Sequence, residues 1–333
     1  MYLIFIIFLI LLLAAEIISV IGVDKYEKFM PKGRNNAKIS IIIPARNEED
    51  FIAKTLESIS NQIDDNFKLI LIVDRSEDST LEIVENYAET VNFPIKILTN
   101  WDDPADSGNP KVFLLKKGIK AAKGSIYLFT DADCIVPRHW VSHYRKMFSV
   151  KNTGLVIGTL KVEGAKSILA NFQNFDHIYR CFYAAACVGA NVATGGFGNN
   201  LAISRDCYES IGGYDALPAS VTEDGVMVSS VAKSKYYKVR SVISLGSSVI
   251  TQPKKGLNNY LHQSLRWTEG ALYGPDFKSK FYYIFMLCAL TLANSAIPLS
   301  FYSPSLLIIS IAGYCYLLFS TIASGYLLKA DRN

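Results

Sequence analysis

The sequence predicts an α/β protein with a central, mostly parallel sheet, together with one N-terminal and two C-terminal transmembrane helices. Short β-branched runs alternate with helical patterns between residues 38 and 130, which is typical of a parallel sheet. Polar residues follow several of these runs, where such a sheet places a binding site. Long apolar runs near both ends of the 333-residue chain predict the transmembrane helices.

The alternating segment contains four predicted strands separated by three predicted helices. In chain order they are strand 38–44, helix 50–63, strand 67–73, helix 79–88, strand 95–98, helix 111–122 and strand 125–130. The strands are short runs rich in β-branched and other apolar residues, whereas the first helix shows apolar residues at helical spacing. Neither the Gly-rich dinucleotide motif nor the P-loop occurs, so neither of those nucleotide sites is available.

Three apolar runs, residues 2–23, 281–302 and 305–328, contain a single charged residue, Glu16. Each run is long enough to cross a hydrocarbon core of about 30 Å as a helix. The first run lacks a basic leader and a small-residue cleavage site, so we interpret it as an anchor rather than a signal peptide. The other two are close enough together to form a hairpin. The alternative is that all three are buried helices of a soluble core.

Basic residues flank these runs on one side. They follow the first run between Lys25 and Lys38, precede the second at Lys278 and Lys280, and follow the third at Lys329. By the positive-inside rule the N-terminus lies outside, and the middle of the chain and the C-terminus lie in the cytoplasm. The middle has a globular composition, and the net charge is only +4. We therefore expect an integral membrane protein, not a disordered, collagen-like, wholly soluble or multi-span transporter protein.

Two carboxylates, Asp131 and Asp133, follow the fourth predicted strand. Carboxylates two residues apart at a strand end can bind one hard cation and its phosphate ligand, as a Mg²⁺ or Mn²⁺ site requires. The same pattern is common on protein surfaces, so its weight depends on other polar segments. Asp74 follows the second strand, ahead of a helix cap that explains Asp78 or Ser79 but not Asp74 itself.

Two later segments add polar groups, each with a structural alternative. Residues 222–224, Thr-Glu-Asp, follow a Gly-rich turn and are compatible with a helix cap. Gln263, Arg266 and Trp267 are spaced to share one face of a helix. The alternative for that helix is an interfacial tryptophan anchor beside the second apolar run.

Taken in order, these segments resemble the family 2 glycosyltransferases. The resemblance covers about residues 38–270 and depends on the ordered set rather than on any one motif. The set comprises residues 44–48, Asp74, residues 109–111, residues 131–133, residues 198–200 with Ala202 and Arg205, residues 212–214, residues 222–224, and Gln263, Arg266 and Trp267. The Gln-x-x-Arg-Trp box resembles the branch of ceramide glucosyltransferases and of cellulose, chitin and hyaluronan synthases. The family's Asp-Asp turn is one residue short here, so Asp74 corresponds to either its first or its second aspartate.

The resemblance implies a GT-A fold, a nucleotide-sugar donor that is most often UDP-linked, a Mg²⁺ or Mn²⁺ ion, and inversion at the anomeric carbon. By position it assigns donor binding to Ala45, Arg46, Glu48, Asp74, Lys111 and Asp131, the metal to Asp133, the general base to Asp224, and closure of the acceptor site to Gln263, Arg266 and Trp267. In this chemistry a carboxylate takes the proton of the acceptor hydroxyl. The cation and basic side chains stabilise the departing diphosphate.

The predicted domains are an anchor at 1–23, a basic linker at 24–37, the GT-A catalytic domain at 38–254, an interfacial region with the Gln-x-x-Arg-Trp helix at 255–280, and transmembrane helices at 281–302 and 305–328. The expected function is transfer of a sugar to a hydroxyl of a lipid or lipid-linked acceptor at the cytoplasmic membrane face. Three spans are few for a polysaccharide channel, which must enclose a polar passage through lipid.

Two alternative functions remain at this point. One is a processive polysaccharide synthase, and the other, from a different class, is an inactive membrane protein that only binds nucleotide sugars. The aromatic-rich segment 168–192 is either a guide for an acceptor tail at the membrane or a pair of core helices. No nucleic-acid partner is expected, because the basic residues are scattered along the chain.

Overall fold

The computed structural model describes residues 35–101, 109–163, 167–189, 195–242 and 247–273, together with single positions or short stretches within 3–10 and 277–315. Two sheets are formed by nine strands in these ranges. The strands are β1 (Ile39–Ala45), β2 (Phe67–Asp74), β3 (Ile95–Asn100), β4 (Ile126–Phe129), β5 (Thr153–Ile157), β6 (Leu160–Val162), β7 (Leu201–Ser204), β8 (Lys238–Ser241) and β9 (Val249–Thr251). The helices of the same ranges are α1 (Ile52–Ser60), α2 (Thr80–Thr90), α3 (Pro110–Ala121), α4 (Trp140–Met147), α5 (Ile168–Gly189), α6 (Arg205–Ser210), α7 (Gly213–Ala216), α8 (Glu223–Ala232) and α9 (Leu257–Tyr273).

The main sheet has seven strands in the order β3-β2-β1-β4-β7-β5-β8. All its neighbouring strands are parallel except β7, which runs antiparallel to both β4 and β5. Strands β6 and β9 form a separate parallel pair. The chain moves from β1 outward to β2 and β3, then returns to place β4 on the other side of β1. The strand order therefore reverses between β1 and β4, and a sheet of this kind binds ligands beyond the carboxyl ends of the strands at such a point.

Both faces of the main sheet are covered, and strand β1 shows why. Ile41 and Ile43 belong to a core that includes α1 and α4, whereas Ile42 belongs to a second core beneath α3. Successive side chains of a strand point to opposite faces, so a strand covered on both sides must be apolar at every position. Gly118 lets α3 lie close to the sheet, because a Cβ atom there would come within 2.6 Å of the Ile42 side chain.

The predicted α/β class with a mostly parallel sheet is confirmed. Each of the seven elements expected between residues 38 and 130 is present, with its ends shifted by a few residues at most. The segment 168–192 contains one helix, α5, instead of two, and that helix is buried mainly in its C-terminal half. The strands beyond residue 150 were not expected, because β5 to β9 have only three to five residues each and carry weak sequence patterns.

The prediction of transmembrane helices at 2–23, 281–302 and 305–328 is wrong for the part of the chain that the structure describes. No helix there is both long enough and apolar enough to cross a membrane. The predicted integral membrane location, with an outer N-terminus and a cytoplasmic C-terminus, is corrected by the same finding. Apolar composition permits a span but does not itself establish the continuous helix of about 20 residues that a span requires. Most positions of the three runs lie outside the described residues.

Candidate active site

The loop that follows β1 is held by the loop that follows β2. Asn47 takes a left-handed backbone conformation, with φ of 53°, and its N–H donates to Ser76 Oγ at 3.1 Å. The N–H of Glu48 donates to Thr80 Oγ1 at 2.7 Å. These bonds turn the chain sharply past the buried Ala45 and leave the Arg46 side chain exposed at the carboxyl edge of the sheet.

Asp74 is the last residue of β2, and only 2% of it is exposed. Its Oδ1 accepts from Asn100 Nδ2 at 2.5 Å, and its Oδ2 lies 3.2 Å from the guanidinium of Arg75. Asn100 in turn accepts a hydrogen bond from Lys117. The Asp74 carboxylate therefore joins the ends of β2 and β3. The donor-binding role predicted for Asp74 would be in addition to this structural role.

The turn after β4 carries Asp131 and Asp133, two acidic residues that the sequence indicated, and Glu48 lies near them. Burial and the nearby Asp131 raise the pKa of Asp133 above its ordinary value, against the smaller lowering effects of a hydrogen bond with Cys134 and of the Lys254 charge. Burial together with Asp133 and Asp131 raises the pKa of Glu48 to about 7. Three carboxylates, one from the loop after β1 and two from the turn after β4, thus repel one another at the strand-order reversal.

These carboxylates are suited to bind a divalent cation whose remaining ligands come from the nucleotide-sugar donor. Within the described ranges, no three His, Cys, Asp or Glu side chains form a group able to hold a metal by themselves. Mg²⁺ and similar ions are commonly bound by one or two carboxylates together with substrate phosphates and water, and they prefer oxygen ligands. Asp131 and Asp133 supply such ligands, and a cation would offset the burial and the repulsion from Asp131 that raise the pKa of Asp133.

Lys111 connects this turn to the start of α8. Asn109 caps α3 by accepting from the N–H groups of Lys111 and Val112 at 3.0 and 3.4 Å, and Pro110 occupies the first helical turn. The cap directs Lys111 Nζ to within 2.8 Å of Asp131 Oδ1 and 3.5 Å of Glu223 Oε1. Burial would lower the pKa of Lys111, but the surrounding carboxylates outweigh burial and raise it, so the side chain remains a cation.

Asp224 lies in the first turn of α8, beside Glu223. Its Oδ2 accepts from the N–H of Gly198 and its Oδ1 from the N–H of Gly225, both at 2.7 Å. Burial and the neighbouring Glu223 nevertheless raise its pKa to about 6, despite the opposing effect of Lys111. A carboxylate oxygen has two lone pairs, so each oxygen of Asp224 keeps one for a substrate proton.

Gly198 marks the centre of the arrangement. A Cβ atom at this position would lie 3.3 Å from Glu223 Oε1, and 3.5 Å from both Asp224 Oδ2 and Lys111 Nζ. A side chain at residue 198 would therefore contact all three of these charged groups where they converge. The convergence brings Lys111, Asp131 and Asp224 into one connected site. Their order in the sequence does not reveal that they lie close together.

The α9 residues approach the site from another side. Gly270 packs against Thr222, because a Cβ atom on Gly270 would come within 2.2 Å of Thr222 Oγ1. Gln263 and Trp267 are half-buried and Arg266 is exposed. The Trp267 ring contacts α5, with the Arg180 guanidinium 4.9 Å from its centroid and the His177 ring at 5.5 Å. Helix α9 thus adjoins the segment that carries Asp224, while Trp267 itself packs on α5.

A buried amide that the sequence did not single out holds the Gly198 loop. Asn200 is completely buried, and its Oδ1 accepts from Trp140 Nε1 at 2.8 Å and from the Tyr144 hydroxyl at 2.7 Å. Its Nδ2 donates to the carbonyl of Thr159 at 2.7 Å. The only sequence signal for this role is its place in the Gly-Asn-Asn segment, since none of its partners is close in sequence.

Comparisons with known proteins show what the chain is similar to. The family described as glycosyl transferase family 21 matches residues 4–333. The Bacillus subtilis protein named "Probable glycosyltransferase YdaM" is 29% identical over 263 residues, which are 74% of this chain and 59% of YdaM. A Methanococcus voltae relative is 35% identical over 97 residues, or 28% of each protein. It is named dolichyl N-acetyl-α-D-glucosaminyl phosphate 3-β-D-2,3-diacetamido-2,3-dideoxy-β-D-glucuronosyltransferase. The chain therefore matches about three fifths or less of the length of these relatives.

One solved structure is similar along almost the whole chain. The Pyrobaculum calidifontis mannosyltransferase PcManGT, solved in complex with GDP-Man and Mn²⁺, superimposes with a TM-score of 0.63. The match covers 99% of both chains at 17% identity, so the similarity is one of fold.

We expect Asn200→Ala to destabilise the protein by about 2 kcal/mol or more, because it leaves the buried indole N–H of Trp140 without this acceptor and the Thr159 carbonyl without this donor. The Tyr144 hydroxyl keeps the backbone carbonyl of residue 200 as its acceptor. Urea unfolding followed by tryptophan fluorescence measures the change. Asn61→Ala, at an exposed position, is the control and should change stability by less than about 0.5 kcal/mol. Equal unfolding midpoints for the two variants would contradict the role assigned to Asn200.

Proposed function

The chain belongs to glycosyl transferase family 21, and from this premise we propose that it transfers a hexose from a nucleotide-sugar donor to a hydroxyl of a lipid or lipid-linked acceptor, with inversion at the anomeric carbon. That the protein is a glycosyltransferase follows from the family. The observation that carries the finer proposal is the connection made by Lys111 between Asp131 and the pair Glu223–Asp224. It joins a turn suited to a diphosphate and its cation to a carboxylate suited to act as a base.

The donor is proposed to bind at the carboxyl edge of the sheet, between the loops after β1 and β4. Arg46 and Glu48 lie at that edge, and Asp131 and Asp133 face it from the adjacent strand. We expect UDP as the nucleotide. The Pyrobaculum structure contains GDP-Man and Mn²⁺, which makes GDP the first alternative to test.

Asp224 is proposed as the general base. Glu223 lies 3.5 Å from Lys111 Nζ and is 9% exposed, so we assign it to the ion pair with that lysine. Asp224 is instead held by two backbone N–H groups and has a raised pKa. In the transfer step the acceptor hydroxyl gives its proton to Asp224, its oxygen bonds to the anomeric carbon, and the bond from that carbon to the diphosphate breaks.

The departing diphosphate gains negative charge as this bond breaks. Lys111 is proposed to stabilise that charge, since it stays protonated beside Asp131. Asp131 and Asp133 would hold a Mg²⁺ or Mn²⁺ ion, which supplies further stabilisation of the diphosphate when it is bound.

Exposed apolar side chains on α5 and α9 support a lipid acceptor. Phe172 and Phe175 on α5 are 53% and 40% exposed, and Leu261 and Leu265 on α9 are 48% and 65% exposed. The two helices pack together here, because the rings of Phe172 and Tyr260 lie 5.9 Å apart. An apolar surface on the helix that also touches the Asp224 segment fits an acyl or polyprenyl tail. The Methanococcus relative, whose name specifies dolichyl N-acetyl-α-D-glucosaminyl phosphate, adds support.

We expect chelation to abolish transfer and Asp133→Asn to weaken the binding of both Mn²⁺ and the nucleotide, because the variant removes an anionic ligand. Electron paramagnetic resonance of Mn²⁺ and calorimetric titration of UDP or GDP measure these affinities. Asp65→Asn, on the exposed surface, is the matched control. Full activity of Asp133→Asn in excess chelator would refute the assignment.

Asp224→Asn should lower kcat by about 100-fold or more while nucleotide affinity persists, because the amide cannot take a proton. In the native enzyme, kcat should fall as the pH decreases through about 6, where Asp224 becomes protonated. Rate–pH profiles of both proteins test this. Asp215→Asn, whose side chain is 77% exposed, is the control. Near-native turnover by Asp224→Asn would show that another group is the base.

We expect one or a few sugars per acceptor lipid rather than a long polymer. Incubation of the purified chain with labelled UDP- and GDP-hexoses and a lipid extract, followed by solvent partition and mass spectrometry of the product, decides this. Trp267→Ala should impair transfer to the lipid much more than nucleotide binding, because it disturbs the packing of α9 on α5. A ladder of large, water-soluble glycan would refute the lipid acceptor and support a polysaccharide synthase.

A further inference from the structure

Strand β9 brings a basic segment to the acidic turn. Ile250 and Ile135 form an antiparallel bridge with N–H to carbonyl distances of 2.8 and 2.9 Å in the two directions. Ile135 is two residues beyond Asp133, and Lys254 is four residues beyond Ile250. The chain that leaves β9 is therefore attached directly to the segment that carries the candidate metal ligands.

The main chain of Lys254 is fixed by one buried side chain of α5. Gln173 is 1% exposed; its Nε2 donates to the Lys254 carbonyl at 3.0 Å, and its Oε1 accepts from the Lys254 N–H at 2.8 Å. Both polar groups of the Lys254 backbone are satisfied by this amide, while the Lys254 side chain is exposed. A buried glutamine is stable only when it is hydrogen-bonded in this way, so the clamp holds the backbone at Lys254 in one place.

The charge of Lys254 acts on the carboxylates at the edge of the sheet. It lowers the pKa of Glu48 and of Asp133, opposing the larger effects of burial and of the neighbouring carboxylates that raise both. Lys111, by contrast, pairs with Asp131 and Glu223. Two lysines from distant parts of the sequence thus interact electrostatically with different carboxylates of one acidic cluster.

We propose that Lys254 binds the diphosphate of the nucleotide-sugar donor, as a second cationic contact beside Lys111. This inference rests on the proposed function and specifies how its donor is held. A lysine ammonium is a compact charge with three donors on a flexible stem, which suits phosphate oxygens. Its backbone is fixed, and its charge acts on Glu48 and Asp133, near which the diphosphate and its cation are expected.

A simple alternative is that Lys254 only maintains the folded arrangement of the acidic cluster. The two roles make different predictions for the affinity for Mn²⁺ alone. If Lys254 contacts the diphosphate, Lys254→Gln weakens nucleoside diphosphate binding but leaves the affinity for Mn²⁺ alone equal or higher, because a positive charge near the cation has been removed. If Lys254 only maintains the structure of the cluster, the same variant weakens both.

The experiment uses the full chain, with Lys254→Gln, Lys254→Arg and, as a matched control, Lys255→Gln at the adjacent exposed lysine. Calorimetry with saturating Mn²⁺ measures UDP, GDP and the corresponding nucleosides, and electron paramagnetic resonance measures Mn²⁺ alone. Lys254→Gln should bind the preferred diphosphate about tenfold or more weakly, as expected for loss of a charged contact. Nucleoside affinity should not change, Lys254→Arg should recover part of the loss, and Lys255→Gln should match the native protein.

Unchanged diphosphate affinity in Lys254→Gln would overturn the inference, and so would a parallel loss of diphosphate, nucleoside and Mn²⁺ affinity. In both cases the native protein still binds nucleotide, so the proposed function would stand. Native protein that binds neither UDP nor GDP would instead overturn the proposed function, and this inference with it.

Discussion

The ion pairs of Lys111 are the interaction on which the candidate site depends. One ammonium group lies 2.8 Å from Asp131 and 3.5 Å from Glu223, and so connects the end of β4 to the start of α8. The pKa values of Asp133 and Asp224 are raised even with this cation in place. Without it, the acidic residues of two separate elements would repel one another in a partly buried region, which is energetically costly.

Buried or half-buried amide side chains hold the loops around this cluster. Asn109 caps α3 and also donates to the carbonyl of Ser220 at 3.0 Å, Asn200 holds the Gly198 loop, and Gln173 holds the backbone of Lys254. Loops lack the regular hydrogen bonds of helices and strands, so their backbone groups need such partners wherever water is excluded. The amides provide both a donor and an acceptor, which allows a single side chain to fix two groups.

The charged site and the exposed apolar surface meet through α9. One face of this helix contacts Thr222 next to the proposed base, and the same helix contributes Leu261 and Leu265 to the apolar surface beside α5. The proposed acceptor, which has a reactive hydroxyl and a hydrophobic tail, would require such a polar site bordered by an apolar surface. Arg180 of α5 lies over the Trp267 ring and so joins α9 to α5.

By itself the sequence determined the sheet and the location of the acidic turn. Alternating apolar strands and amphipathic helices leave few arrangements other than a parallel sheet, and Asp131 and Asp133 must then follow β4 at its carboxyl edge. These features depend on contacts and periodicities that are local in the chain. For the described part of the apolar runs, composition was a poor guide, because no helix there is long and apolar enough to cross a membrane.

Only the tertiary structure decided which distant residues meet. Gly198 lies beside Asp224, Asn200 binds Trp140, and Gln173 clamps Lys254 across 81 residues of sequence. None of these pairs has a periodic or compositional signal, because each depends on how strands and loops far apart in sequence are packed together. The sequence therefore identified most of the charged groups, whereas the packing determined which of them are coupled, since electrostatic coupling depends on distance and burial in space.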